Sequence, residues 1–96
     1  MNTKEKKALK VPTVHLNGTS GKVLYEQYIA VGRSLGLTLR AMEEASPNAR
    51  DYYVQGEGAY AEAMKEHMAR VDVLRGVGKE IDTIMEALFD AIHYSD

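Results

Sequence analysis

Residues 60–92, YAEAMKEHMARVDVLRGVGKEIDTIMEALFDAI, decide the fold. Within them Tyr60, Met64, His67, Val71, Leu74, Gly78, Ile81, Met85, Leu88 and Ile92 recur at alternating steps of four and three. That alternation keeps one helix face turned toward a partner helix. Ala63, Val77, Ile84 and Ala91 broaden the stripe. The helix is expected to begin between Glu57 and Ala59 and to end near His93. Gly76 and Gly78 fall inside it, where a kink or a break into two helices is expected.

A second stripe lies toward the N-terminus. Leu24, Tyr28, Val31, Leu35, Thr38, Met42 and Ala45 show the same alternation, and Ser46-Pro47 ends it. Thr19 or Ser20 supplies its N-cap. Gly32 and Gly36 are placed four apart, as for close approach of another helix. The fold class is therefore all-α: an antiparallel helical hairpin with a short extended segment, Val11 to Leu16, ahead of it. The first helix is about 38 Å long and the second more than about 50 Å. The longer helix should overhang the shorter at its C-terminal end, leaving Ile81 to Ile92 to be covered by Val11–Leu16 and by another subunit. Oligomerisation is expected on that ground.

Composition sets the outer limits. Ninety-six residues, 45% hydrophobic and 27% charged, make one ordinary globular domain. Residues 1–10 read as a flexible basic arm, with Lys4, Lys6, Lys7 and Lys10 against Glu5, and residues 11–96 as a single helical domain. A basic arm on an acidic body argues against a nucleic-acid surface. There are no cysteines, which excludes thiolate metal sites and cysteine nucleophiles. No apolar run follows the lysines as in a signal peptide, and no stretch has the ~20 apolar residues of a membrane span.

Two polar clusters flank the first stripe. His15, Asn17, Gly18, Thr19, Ser20 and Lys22 precede its first turn. Unpaired helix N–H groups, two hydroxyls and a cation there suit an anion. The cluster is not a nucleotide-hydrolase phosphate loop, because Leu16 and Val23 stand where that motif needs glycine and serine or threonine. The simpler reading is a cap after a turn. Arg50, Tyr52 and Tyr53 form the second cluster, between the helices. One tyrosine is expected to face the core while the other, beside Arg50, offers a seat for a base or phosphate. The simpler reading is two rings capping the hairpin. The clusters lie at opposite ends of the first helix, so they make a single site only across an assembly.

No catalytic group converges with another in the sequence, and no cofactor or metal is expected. His67 reads as a hydrogen-bonded core or interface histidine. Asp82, Glu86, Asp90 and His93 read as a solvated face rather than a metal site.

Thr13-Val14-His15-Leu16-Asn17-Gly18-Thr19-Ser20, Glu26-Gln27, the run Pro47-Asn48-Ala49-Arg50-Asp51-Tyr52-Tyr53-Val54-Gln55, Glu66-His67 and Arg70 resemble a set of small uncharacterised proteins of tailed bacteriophages and prophages. The likeness covers roughly residues 11–80. It implies a setting in the cytoplasm of an infected bacterial host. Small oligomeric helical phage proteins include sponges that sequester cyclic oligonucleotide or cyclic ADP-ribose-type immune signals, and this chain is similar to them in size and helical class. The expectation is a non-catalytic, nucleotide-binding anti-defence protein acting by sequestration. The alternative is a protein-interaction inhibitor that docks on a host immune protein or another phage protein.

Overall fold

The computed structural model describes residues 9–94, with the side chains of 9–93. Most of the basic arm, residues 1–8, lies outside them. The architecture is all-helical: α1 (Gly21–Glu44), two single 3-10 turns (Ala49–Asp51 and Tyr53–Gln55) and α2 (Ala59–Tyr94). Among the described residues there is no strand, and no helix is long and apolar enough to cross a membrane. Residues 9–15 adopt no regular secondary structure.

Local chemistry explains each boundary. Leu16-Asn17 form a turn closed by the Gly18 N–H donating to the His15 carbonyl at 3.1 Å. Ser20, not Thr19, is the N-cap of α1; its hydroxyl oxygen accepts from the Val23 N–H at 3.1 Å. Ser20→Ala is expected to destabilise the fold by about 1 kcal/mol. Chemical denaturation checks this, and an unchanged midpoint would show that the cap is dispensable. At the other end Ala45 closes α1 by donating to the Ala41 carbonyl, and Pro47 prevents continuation. The Asn48 side chain then accepts from the Arg50 N–H at 3.1 Å and starts the first 3-10 turn. Gly56 and Gly58, at φ 112° and 90°, turn the chain into α2 through a region that other residues rarely adopt.

α2 runs 36 residues without interruption, about 54 Å, and continues through Gly76 and Gly78. Neither glycine breaks it, and Gly78 has a packing reason to be there. A Cβ at Gly78 would stand 3.2 Å from Leu35 Cδ2. Gly21, Tyr25, Gly32, Leu35 and Ser46 face Ile92, Phe89, Met85, Gly78 and His67 in turn. That pairing corrects two expectations. The overhang is at the N-terminal end of α2, because α1 already ends beside His67 and the loop from Ala45 to Gly58 continues along the first turns of α2. The face from Ile81 to Ile92 is covered by the first half of α1. Val14 joins it there, since a Cβ at Gly21 would meet Ile92 at 2.9 Å and Val14 at 3.3 Å.

The inner seam of α2 is the one expected from residues 60–92. The seam of α1 is turned by about 100°, one residue, at alternate positions. Tyr28, Leu35 and Met42 are shared, but Tyr25, Gly32 and Leu39 take the places expected for Leu24, Val31 and Thr38. Val31 is 44% exposed, and Thr38 is exposed with its hydroxyl donating to the Ser34 carbonyl. Gly32 wins over Val31 because a smaller residue admits Met85, whose sulfur lies 3.9 Å from the Gly32 Cβ position.

The resulting molecule is thin. It measures 63 × 33 × 18 Å with a radius of gyration of 19.1 Å, against about 12–13 Å for a compact chain of this length. Among the described residues only Val71, Leu88, His67 and Gly21 are buried. The two sides of α1 differ in charge, whereas α2 is charged on both, with Glu66, Arg70 and Glu80 one residue before its inner seam. Positions one residue after the inner seams include Lys22, Glu26, Arg33, Arg40, Arg75 and Asp82. Positions one residue before them, on α1, are Leu24, Gln27, Val31, Ser34, Thr38, Ala41 and Ala45, with no charge at all.

Candidate functional site

The two expected polar clusters sit where the hairpin puts them, at opposite ends of α1. His15, Asn17, Gly18, Thr19, Ser20 and Lys22 are all exposed at its start. Two of them are occupied locally: Ser20 caps the helix, and the His15 imidazole lies so close to Gly18 that a Cβ there would stand 2.7 Å from Nε2. Arg50 and Tyr53 are exposed at the far end, and Tyr52 is half-buried. Tyr52 is thus the less exposed of the two tyrosines. α1 spans 24 residues, so about 36 Å separates the clusters. One chain does not bring them together.

A third arrangement forms on the charged side of α1. Gly36, Leu39, Arg40, Glu43 and Ser46 of α1 and its end, with His67, Met68, Val71 and Arg75 of α2, line an open groove of about 450 Å³. Glycine at position 36 leaves it unobstructed, with nothing within 4 Å of the Cβ position. Its apolar lining is Leu39, Met68 and Val71. The rim carries two guanidiniums, and among the described residues neither lies within ion-pair distance of a carboxylate. The sole ion pair among the described residues, Arg70 with Glu66 at 3.9 Å, lies away from the groove on the exposed surface of α2 and is worth little.

His67 is the buried polar group of this groove, at 4% exposure. Its Nε2 stands 3.4 Å from the Ser46 hydroxyl. That hydroxyl donates its own hydrogen to the Glu43 carbonyl at 2.8 Å. Ser46 Oγ is therefore the acceptor and His67 Nε2 the donor, which leaves Nδ1 as the imidazole's other polar atom.

Residues from both helices meet here only because of the register, so the sequence shows no motif for it. Arg40 follows Leu39 and Arg75 follows Leu74, each one step past the inner seam. With α1 in its true phase those two arginines would have marked the same side. Among the described residues no group of three carboxylates or imidazoles is placed to hold a metal ion, Asp82, Glu86, Asp90 and His93 included. The His93 ring instead lies 4.0 Å from Phe89, which in turn packs 6.0 Å from Tyr25. No protein-family model, no curated protein and no solved structure matches this chain.

Proposed function

We propose that this chain is a non-catalytic binding protein that captures a small anionic, nucleotide-like ligand and self-assembles to do so. One observation carries the reading: Arg40 and Arg75, without carboxylate partners among the described residues, share a groove with the buried His67. Guanidiniums present paired donors to phosphate or carboxylate, and an apolar lining suits a flat organic body. The volume is within the range of small-molecule sites, about 300–1,000 Å³.

The chemistry around Ser46 and His67 opposes turnover. Ser46 and His67 resemble a nucleophile and its base, but they sit at the C-terminal end of α1. Carbonyls converge there, and their partial negative charge opposes an oxyanion. The Ser46 hydrogen is also committed to Glu43. The anti-defence role and the setting in an infected bacterial cell rest on the resemblance to phage proteins. The loop clusters, Thr19, Ser20 and Lys22 with His15 and Asn17, and Arg50 with Tyr52 and Tyr53, enter the same reading as contacts made across an assembly.

Calorimetry against cyclic dinucleotides and cyclic ADP-ribose-type compounds tests the proposal. Arg40→Ala/Arg75→Ala is expected to weaken binding at least about 100-fold, since each charge-assisted contact contributes about 1.5–3 kcal/mol. Arg50→Ala separates the loop cluster from the groove. Recovery of intact ligand after denaturation supports capture without turnover. No heat with any compound would end the reading.

A second reading has its own support. Tyr53 and Val54, 73% and 76% exposed, stand side by side at the hairpin tip. Such a pair suits docking on another protein as an inhibitor. Tyr53→Ser/Val54→Ser would abolish that docking in a pull-down while leaving small-molecule binding intact.

A further inference from the structure

One polar atom of the groove has no partner. His67 is 4% exposed, and its Nε2 donates to Ser46 Oγ at 3.4 Å. Ser46 does not supply the hydrogen of that contact, because its own goes to the Glu43 carbonyl at 2.8 Å. A neutral imidazole that donates from Nε2 carries a bare lone pair on Nδ1. Among the described residues no backbone or side-chain donor is hydrogen-bonded to it. Buried acceptors are ordinarily paired. The space beside this ring is the groove, which His67 lines.

The groove divides its polar work between two kinds of group. Arg40 faces it from α1 and Arg75 from α2, against one carboxylate, Glu43. The guanidiniums only donate, so they suit an anion. A third cation beside them, nearly fully buried, would have to be desolvated. His67 therefore adds an acceptor to the groove and not a further charge. We infer that the groove selects, among anionic nucleotide-like ligands, those that carry an uncharged hydrogen-bond donor for His67 Nδ1 beside the phosphate held by Arg40 and Arg75. This rests on the capture reading above and deepens it to a class of ligand. A ligand that fills the groove takes water away from Nδ1 and has to replace its donor. An anion with acceptors alone satisfies the arginines and leaves Nδ1 orphaned. In a nucleotide the donor comes from a base amine or from a ribose hydroxyl.

Nitrogen NMR of the imidazole rings of the full chain, at about pH 8 where an ordinary imidazole is neutral, is the first test. His67 Nδ1 is expected to be unprotonated in the free protein and to shift when cyclic di-AMP is added. Calorimetry with the base-dimethylamino and the ribose-O-methyl analogues of cyclic di-AMP then separates the two donors. One of them is expected to bind about 5- to 150-fold more weakly, as for one buried acceptor left unpaired. His67→Gln keeps a donor at the distance of Nε2 and removes the acceptor. It is expected to retain helical circular dichroism, to lose the same factor for cyclic di-AMP and to be indifferent to the weakened analogue. His67→Asn, with an oxygen at the distance of Nδ1, is expected to recover part of that loss. Should either variant fail to fold, the wild-type resonance and the analogues decide. A proton on Nδ1 in the free protein overturns the inference and leaves capture by the arginines standing. So does binding that leaves the Nδ1 resonance unmoved or is equal for all three compounds. No binding of cyclic di-AMP also overturns it, and the capture reading falls with it only if the rest of the panel fails.

Discussion

Leu88→Ala is expected to lower the midpoint of thermal unfolding by roughly 10–25 °C, from a loss of about 2–4 kcal/mol in a domain of this size. Leu88 is fully buried, at 0% exposure. It shares the apolar core with Val71 as the only other hydrophobic side chain that is buried among the described residues. A core with so few members has little redundancy. Truncation removes transfer free energy and leaves a cavity between two helices that have no third layer to collapse inward. Differential scanning calorimetry at one fixed protein concentration is the measurement, so that any self-association would weigh equally on both samples. A shift of only a degree or two would mean that Leu88 is not central to the packing.

The second large effect comes from two glycines separated by one residue. Gly78→Leu is expected to destabilise the hairpin by about 1–3 kcal/mol, because even a Cβ there meets Leu35 Cδ2 at 3.2 Å. Gly76→Leu is expected to be neutral or to stabilise by up to about 0.8 kcal/mol through helix propensity. Nothing lies within 4 Å of the Gly76 Cβ position, and the residue is exposed. The same chemical change, two positions apart on one helix, therefore has opposite signs. Equal midpoints for the two variants would contradict the helix pairing described above.

The physical reasons for what was legible in the sequence differ between the two helices. For α2 the seam from Met64 to Ile92 is rich in large apolar residues, so the phase is unambiguous. For α1 two phases compete, and hydrophobicity alone prefers Val31 to Gly32. Packing prefers the reverse, because Gly32 and Gly78 let the axes approach. The seam through Val31 and Thr38 is real, but it belongs to the outside of the hairpin. The direction of the overhang was illegible because it depends on where the Ala45–Gly58 loop travels. That loop follows α2 instead of closing tightly. Gly76 and Gly78 looked like punctuation, yet one is a contact and the other a tolerated surface position.

The candidate groove was illegible for a related reason. Arg40 with Arg75 and Ser46 with His67 are far apart in sequence and meet only through the register. The clusters at Asn17–Lys22 and Arg50–Tyr53 stood out because their unusual residues are consecutive. Most of the first cluster's prominence is spent on a turn and a helix cap. His67 was recognised as a buried, hydrogen-bonded histidine. Its place in a groove came from the neighbouring arginines.

The unbroken course of α2 gives the molecule a fixed gauge. A helix of 36 residues without a break carries both ends of the molecule on one element. The tip at Tyr53-Val54 and the turn at Leu16-Asn17 are therefore held at opposite ends of a rod with a long dimension of 63 Å. Whatever touches both ends must match that span, because the protein cannot shorten to meet it. A partner of the wrong length is rejected by distance alone, before any side chain is read.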